Sequence, residues 1–193
     1  MALPPRIRDS LALILLAAGC GGGPPLDWQA GAAEALQSFQ RHYFAGSTEL
    51  AEIDFKRARA ELARTGRADL VARAELVRCA VRSAALEFDD CPGFEALRYG
   101  AARDELAYAE YLAGRGRHTG GDEPLGRLVA FSVSLRSGSI NPQGIVSAVE
   151  IASAQGWRRP LLAWLGVQEK RAVDSGDSET AARIRRRREL VSG

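Results

Sequence analysis

The chain has 193 residues, 46% of them hydrophobic, and its 26 basic and 24 acidic residues leave a formal net charge of +2. That length fits one domain plus a targeting segment, and the near-balance of charge excludes a general electrostatic pull toward nucleic acid or membrane. Ala, Arg, Leu and Glu are abundant and period-two apolar runs are scarce, which predicts an all-α fold.

At the N-terminus, Arg6 and Arg8 precede an uncharged apolar run from Leu11 to Ala18. Such a run is too short for a bilayer core, which needs about twenty residues, but it matches the apolar region of a signal peptide. It ends Leu16-Ala17-Ala18-Gly19-Cys20. These residues resemble the lipobox of bacterial lipoproteins, with Ala17 standing where leucine is commonest. The resemblance implies removal of residues 1–19 and a mature chain beginning at Cys20. That cysteine would carry a thioether-linked diacylglycerol and an amide-linked third chain. At about 0.8 kcal/mol per buried methylene, such anchoring is effectively permanent. By the same resemblance, Gly21 rather than aspartate after the cysteine implies the outer membrane. Residues 20–27, with Gly21, Gly22, Gly23, Pro24 and Pro25, read as a tether that forms neither helix nor strand. Residues 28–193 then form a single helical domain facing the periplasm. A conventional secretory signal with a chance cysteine is the alternative.

Residues 28–44 carry Trp28, Ala32, Leu36, Phe39 and Tyr43 on one helical face. Ala45-Gly46 breaks that helix, and Ser47 or Thr48 can cap the next, which uses Ala51, Phe55, Ala58 and Leu62 and stops at Gly66. From Leu70 to Phe88 there are two stripes. Leu70, Ala74, Val77, Val81, Ala84 and Phe88 form one; Ala72, Leu76, Cys79 and Leu86 form the other. Glu75, Arg78 and Arg82 occupy a narrower face between them. This helix is expected to be central, buried on two sides.

Lipidation of Cys20 would leave Cys79 and Cys91 as an even pair in an oxidising compartment, where a disulfide is expected. Two buried free thiols are the alternative. Closing so short a loop contributes on the order of 3 kcal/mol in the chain-entropy model. A helix intact to Phe88 would leave Cys79 about 13 Å below its end, beyond the about 10 Å that three extended residues span. The bridge therefore requires the helix to loosen by Leu86, and Asp89, Asp90, Pro92 and Gly93 supply the turn.

Residues 94–113 read as one further helix through Phe94, Leu97, Ala101, Tyr108 and Leu112, followed by a glycine-rich loop from Gly114 to Glu123. Pro124 to Leu135 is a shorter helix. Asn141-Pro142 caps and starts another that runs to Ala154. Trp157–Val173 and Ser178–Leu190 make a closing hairpin about Ser175-Gly176-Asp177, for about eight helices in all. Gly46 followed by Ala51, Phe55 and Ala58 resembles the turn glycine and small-large-small spacing of tetratricopeptide-like hairpins. Gly176 followed by Ala181 begins the same pattern, but Arg185 and Arg188 replace its large and small residues. The resemblance implies helices stacked as antiparallel hairpins, in a solenoid-like arrangement.

Candidate chemistry is sparse. His42 and His118 lack partners at metal-site spacing, so no metal or cofactor is expected. Arg115, Arg117 and His118 sit among glycines, a combination that holds phosphate or carboxylate. No phosphate-loop Lys-Ser/Thr follows, and a solvated loop is the alternative. Glu87, Asp89, Asp90 and Glu95 lack calcium-loop spacing and read as a helix-end turn. There is no Gly-x-Ser-x-Gly elbow, and paired carboxylates for glycan cleavage would leave no local signature. Arg183, Arg185, Arg186, Arg187 and Arg188 form either a solvated helix neutralised by Glu179 and Glu189, or a docking patch for anionic lipid headgroups or an acidic protein. Nucleic acid is disfavoured by compartment. Trp157 and Trp164, with Leu161 and Leu165, would serve as partner anchors if exposed and as core if not. The expected function is non-enzymatic: a lipid-anchored periplasmic scaffold or adaptor for an envelope protein. The alternatives are a cell-wall hydrolase, marked by a cleft with two carboxylates, and a carrier with an enclosed apolar cavity.

Overall fold

The computed structural model describes residues 26–117 and 121–193, and these are all-α. Cys20, the apolar N-terminal run, the tether up to Pro25 and His118 lie outside the described residues. Three long helices come first: α1 (Asp27–Ala45), α2 (Thr48–Ala63) and α3 (Ala68–Ala84). Then follow a short α4 (Pro92–Glu95), a single 3₁₀ turn (Arg98–Gly100) and α5 (Arg103–Leu112). The chain closes with α6 (Pro124–Arg136), α7 (Pro142–Ala154), α8 (Arg158–Asp174) and α9 (Ser178–Ser192).

Local chemistry sets most boundaries. Gly46 ends α1 at φ +94°, a conformation that glycine adopts without a Cβ penalty, and the Ser47 N–H reaches back to the His42 carbonyl at 2.9 Å. The Asn141 side chain accepts the Gly144 N–H at 2.7 Å and Pro142 takes the first helical position, so α7 starts where the sequence places it. Asp177 caps α9 by accepting the Thr180 N–H at 2.9 Å. Ser47 makes no such cap on α2, and the Thr48 hydroxyl instead accepts from Arg159 of α8 at 2.5 Å.

α3 is the centre of the fold. It packs against α1, α2, α4, α5 and α6; Ala72, Ala74, Leu76, Cys79, Val81 and Ala84 of its two apolar stripes are buried, and Leu70 and Val77 are partly buried. Consecutive helices pair through short turns in α1–α2, α7–α8 and α8–α9. In addition α1 meets α8, where the Phe44 and Trp157 rings lie 4.7 Å apart. The first and last hairpins therefore share a core. The helix does loosen where the bridge requires it: α3 stops at Ala84, and Leu86 turns the chain at φ +62°. Phe88 consequently leaves the α3 stripe, lying partly exposed under the Arg136 guanidinium.

One expectation is corrected. Residues 94–113 are not a single helix but α4, the 3₁₀ turn and α5, with Ala101 and Ala102 extended between the last two. The reason is tertiary. A Cβ at Gly100 would come within 2.7 Å of the Ala68 Cβ, and one at Gly93 within 2.1 Å of the Glu75 carboxylate. At Gly100, just before Ala101 and Ala102, the backbone lies directly on Ala68 of α3, and at Gly93 it lies against the Glu75 side chain; the close approach at Gly100 overrides the helical pattern. Among the described residues, no helix is long and apolar enough to cross a membrane.

Candidate functional site

The cysteine turn is tied by a disulfide and by several ion pairs. Cys79 on α3 and Cys91 ahead of α4 are disulfide-bonded, with their Cα atoms 5.8 Å apart. Cys91 adopts φ +48°, and its N–H donates to Asp89 Oδ1 at 2.9 Å. Glu87, Asp89 and Asp90 each face an arginine from a helix of the fold, and Glu95 faces one on its own segment. Arg82 of α3 approaches Asp89 at 3.2 Å and Glu87 at 3.8 Å. Arg159 of α8 lies 3.5 Å from Glu87, and Arg136 of α6 lies 3.7 Å from Asp90 while donating to the Asp89 and Leu112 carbonyls. Arg98 takes Glu95 with both nitrogens, at 2.8 and 3.0 Å. The run that sequence assigned to a helix-end turn is a hub of ion pairs. Burial, and behind it the Glu87 carboxylate, push the Tyr43 hydroxyl beneath this hub up to about 12. Asp89 and the two cysteine sulfurs lie within 4.8 Å of one another. Zinc and similar ions bind thiolates, so this trio offers no ligand set while the bridge is closed.

Beside the turn lies the basic glycine loop. Arg115 is held by Glu110 at 2.7 Å, and Arg98 approaches the same carboxylate at 3.4 Å. The hydrogen bond from Arg115 holds the Glu110 carboxyl below its usual range. Arg115 opens onto a cleft of about 290 Å³ shared with Asp89, Asp90, Glu95, Arg98 and Arg136. Arg117 instead lines a separate open trough of about 700 Å³ with Tyr111, Ser134, Ser137 and Ser139. The two described arginines of the loop thus border different depressions. Arg98 and Arg136 complete the Arg115 cleft, and the sequence reading did not include them. The spacing of Glu95 and Arg98, one helical turn apart, was the available signal for one of them.

On α9 the expected partners are corrected. Neither Glu179 nor Glu189 neutralises the arginines. Glu169 of α8 does, accepting from Arg185 at 3.0 Å and from Arg188 at 2.5 Å. Arg187 donates to the Ser153 hydroxyl and Arg183 to the Thr180 hydroxyl. The candidate anchors Trp164, Leu161 and Leu165 are all buried, so they are core, and Trp157 is half-buried against Phe44. His42 pairs with Asp54 across the α1–α2 hairpin at 2.6 Å.

Two carboxylates are buried: Glu105, which the sequence reading did not name, and Glu75, which it placed on the narrower polar face of α3. Glu75 receives Arg59 at 3.0 Å, and Glu105 receives two nitrogens of Arg73 at 2.9 and 2.6 Å. Glu105 borders an open, mainly apolar trough of about 320 Å³ with Leu76, Val77 and Tyr108. Both acids are committed to arginines rather than facing each other over a cleft. Compared with protein-family models, with curated proteins and with solved structures, the chain matches none.

Proposed function

We propose that this chain is a lipid-anchored protein of the cell envelope whose helical domain is a scaffold or adaptor for a protein partner in the periplasm. The observation that carries the reading is the Cys79–Cys91 bridge. Bridged cysteines belong to oxidising compartments, and the bridge leaves Cys20, in its lipobox-like setting, as the one remaining cysteine. An outer-membrane location follows from Gly21 by the same resemblance. With Trp164, Leu161 and Leu165 in the core and Trp157 half-buried, we place the apolar contact for a partner at Leu50 and Ile53, two of the exposed apolar residues. They lie about one turn apart on α2 and are 51% and 62% exposed.

Mass spectrometry of the protein extracted from membranes tests the first half. The expected mature chain starts at an acylated Cys20 and yields a disulfide-linked peptide pair containing Cys79 and Cys91. A mature N-terminus elsewhere, or an unmodified Cys20, overturns the anchored reading. A photo-crosslinking residue at Leu50 or Ile53 tests the second half: a discrete envelope adduct supports an adaptor, and none from either position counts against it.

A further inference from the structure

The five arginines of α9 divide by what holds them. Arg185 and Arg188 turn onto α8 and share Glu169, whose carboxyl their hydrogen bonds hold below its usual range. Among the described residues, no carboxylate lies within 4.0 Å of Arg183, Arg186 or Arg187. At about 100° per residue, Arg183, Arg186, Arg187 and Leu190 fall within roughly 100° of arc. The buried side of the helix, marked by Ala181 and Ile184, faces the other way. Leu190 stands 82% exposed in this basic stripe. Glu179 closes its N-terminal end, and Glu189 lies to the flank.

The stripe is also pre-ordered. Glu169 fastens two arginines on the inner side, and Ser153 of α7 takes Arg187 at 3.0 Å. At the far end Arg158 donates to the Val191 carbonyl at 3.0 Å and to the Ser192 carbonyl, holding α9 helical to its last turn. Unpaired end carbonyls would otherwise fray.

We infer that this face of α9 docks on an anionic phospholipid surface. Guanidinium groups grip phosphate through paired hydrogen bonds. A fixed row of them suits a fluid array of headgroups, whose phosphates shift to meet whatever spacing the helix presents. The isolated Leu190 fits the same surface, since it reaches the acyl boundary while the arginines stay at headgroup depth. An acidic protein would instead need carboxylates prearranged around an exposed leucine. The inference uses the envelope reading only to bring such a surface near, and the contact itself does not require the lipid anchor.

The test uses the full chain with Cys20→Ser, which cannot be acylated, sedimented with vesicles of phosphatidylcholine alone or mixed with phosphatidylglycerol. Binding is expected to the mixed vesicles and to weaken steeply as salt shortens the screening length. Each arginine is worth about fivefold in partitioning, so R183Q/R186Q/R187Q lowers it roughly 100-fold. The lysine triple R183K/R186K/R187K keeps most of the binding, and Leu190→Ser loses a few-fold. Circular dichroism verifies that the variants fold; these side chains are exposed and bond at most a surface hydroxyl, so unchanged helicity is expected. Equal binding by the glutamine triple, equal binding to neutral vesicles, or capture of an acidic protein by the stripe without any vesicle binding each overturns the inference. None of these results bears on the mature N-terminus, so the anchored reading stands or falls separately.

Discussion

Trp164 of α8 donates its indole N–H to the carbonyl of Ala84, the last residue of α3, at 3.1 Å in the buried core. Carbonyls in the last turn of a helix lack partners within it. The tryptophan therefore caps the central helix as well as filling the space beside it, just before the chain turns toward Cys91. It fastens the closing hairpin to the centre of the fold. Trp164→Ala is expected to cost about 3–5 kcal/mol through the cavity it leaves. Trp164→Phe keeps much of the volume but strands the Ala84 carbonyl, and about 1–3 kcal/mol is expected. Urea unfolding followed by far-UV circular dichroism measures both. Indistinguishable, near-zero costs would show that the closing hairpin is not anchored here.

The cysteine turn is held twice, by the bridge and by arginines from α3, α6 and α8. C79S/C91S should therefore lose the loop-closure contribution of about 3 kcal/mol yet keep its helical signal, because the ion pairs still gather the turn. Adding Arg136→Ala to that background removes the guanidinium that bonds the Asp89 and Leu112 carbonyls. Its cost should exceed the cost of the same substitution in the bridged protein. Additive losses in a double-mutant cycle would show that bridge and arginine act independently.

What the sequence made legible, and what it concealed, follows from the reach of each interaction. Asn141 and Pro142 fix the start of α7 within one turn, so local chemistry suffices. The double stripe of α3 and the need for a break by Leu86 also follow from spacing, because they rest on the geometry of one helix and one bridge. The break at Ala101 and Ala102 did not, since it adjoins Gly100, whose backbone presses against Ala68 of α3. The same holds for Glu105: an acid on a helix reads as solvent-facing until an arginine from another element covers it, whereas Glu75 reads as lying on a narrow face between two buried stripes, without its Arg59 partner. Glu169 was missed as the partner of Arg185 and Arg188 because it lies across a hairpin, whereas Glu179 and Glu189 share their helix. For the candidate site this distance is decisive. Arg115 was legible as a basic loop residue, but the Arg98 and Arg136 that border its cleft come from separate segments.

Arg73 and Glu105 form an asymmetric pair, the arginine side chain 65% exposed and the carboxylate side chain 5% exposed. Removing the arginine leaves a buried carboxylate without its donors, while removing the charge of the acid leaves a guanidinium that water readily covers. Arg73→Ala is therefore expected to destabilise by about 1–3 kcal/mol, discounted from a fully buried pair because half of it meets solvent. Glu105→Gln should cost less. Chemical denaturation of the two variants checks the order, and the reverse order would place the energetic weight on the exposed partner.

Glu169 offers a test by pH. The hydrogen bond from Arg188, then that from Arg185, holds its carboxyl below the usual range in the folded chain. Unfolded, the same group protonates near the ordinary glutamate value of about 4.3. Its contribution is thus complete above about pH 4.3 and is lost as pH falls from there through the lower folded value. Glu95 and Glu110 are depressed in the same direction by Arg98 and Arg115, so the whole protein should lose stability through this acid window. Glu169→Gln removes one of these contributions. Its melting temperature should be lower than that of the parent at neutral pH, and the two should converge as the solution is acidified below about pH 4. A gap that stays constant from neutral to acid would mean that the glutamate holds α9 through packing rather than through its charge. Added salt at neutral pH should narrow the gap as well, since both arginines are partly solvent-exposed and their attraction to Glu169 is screened.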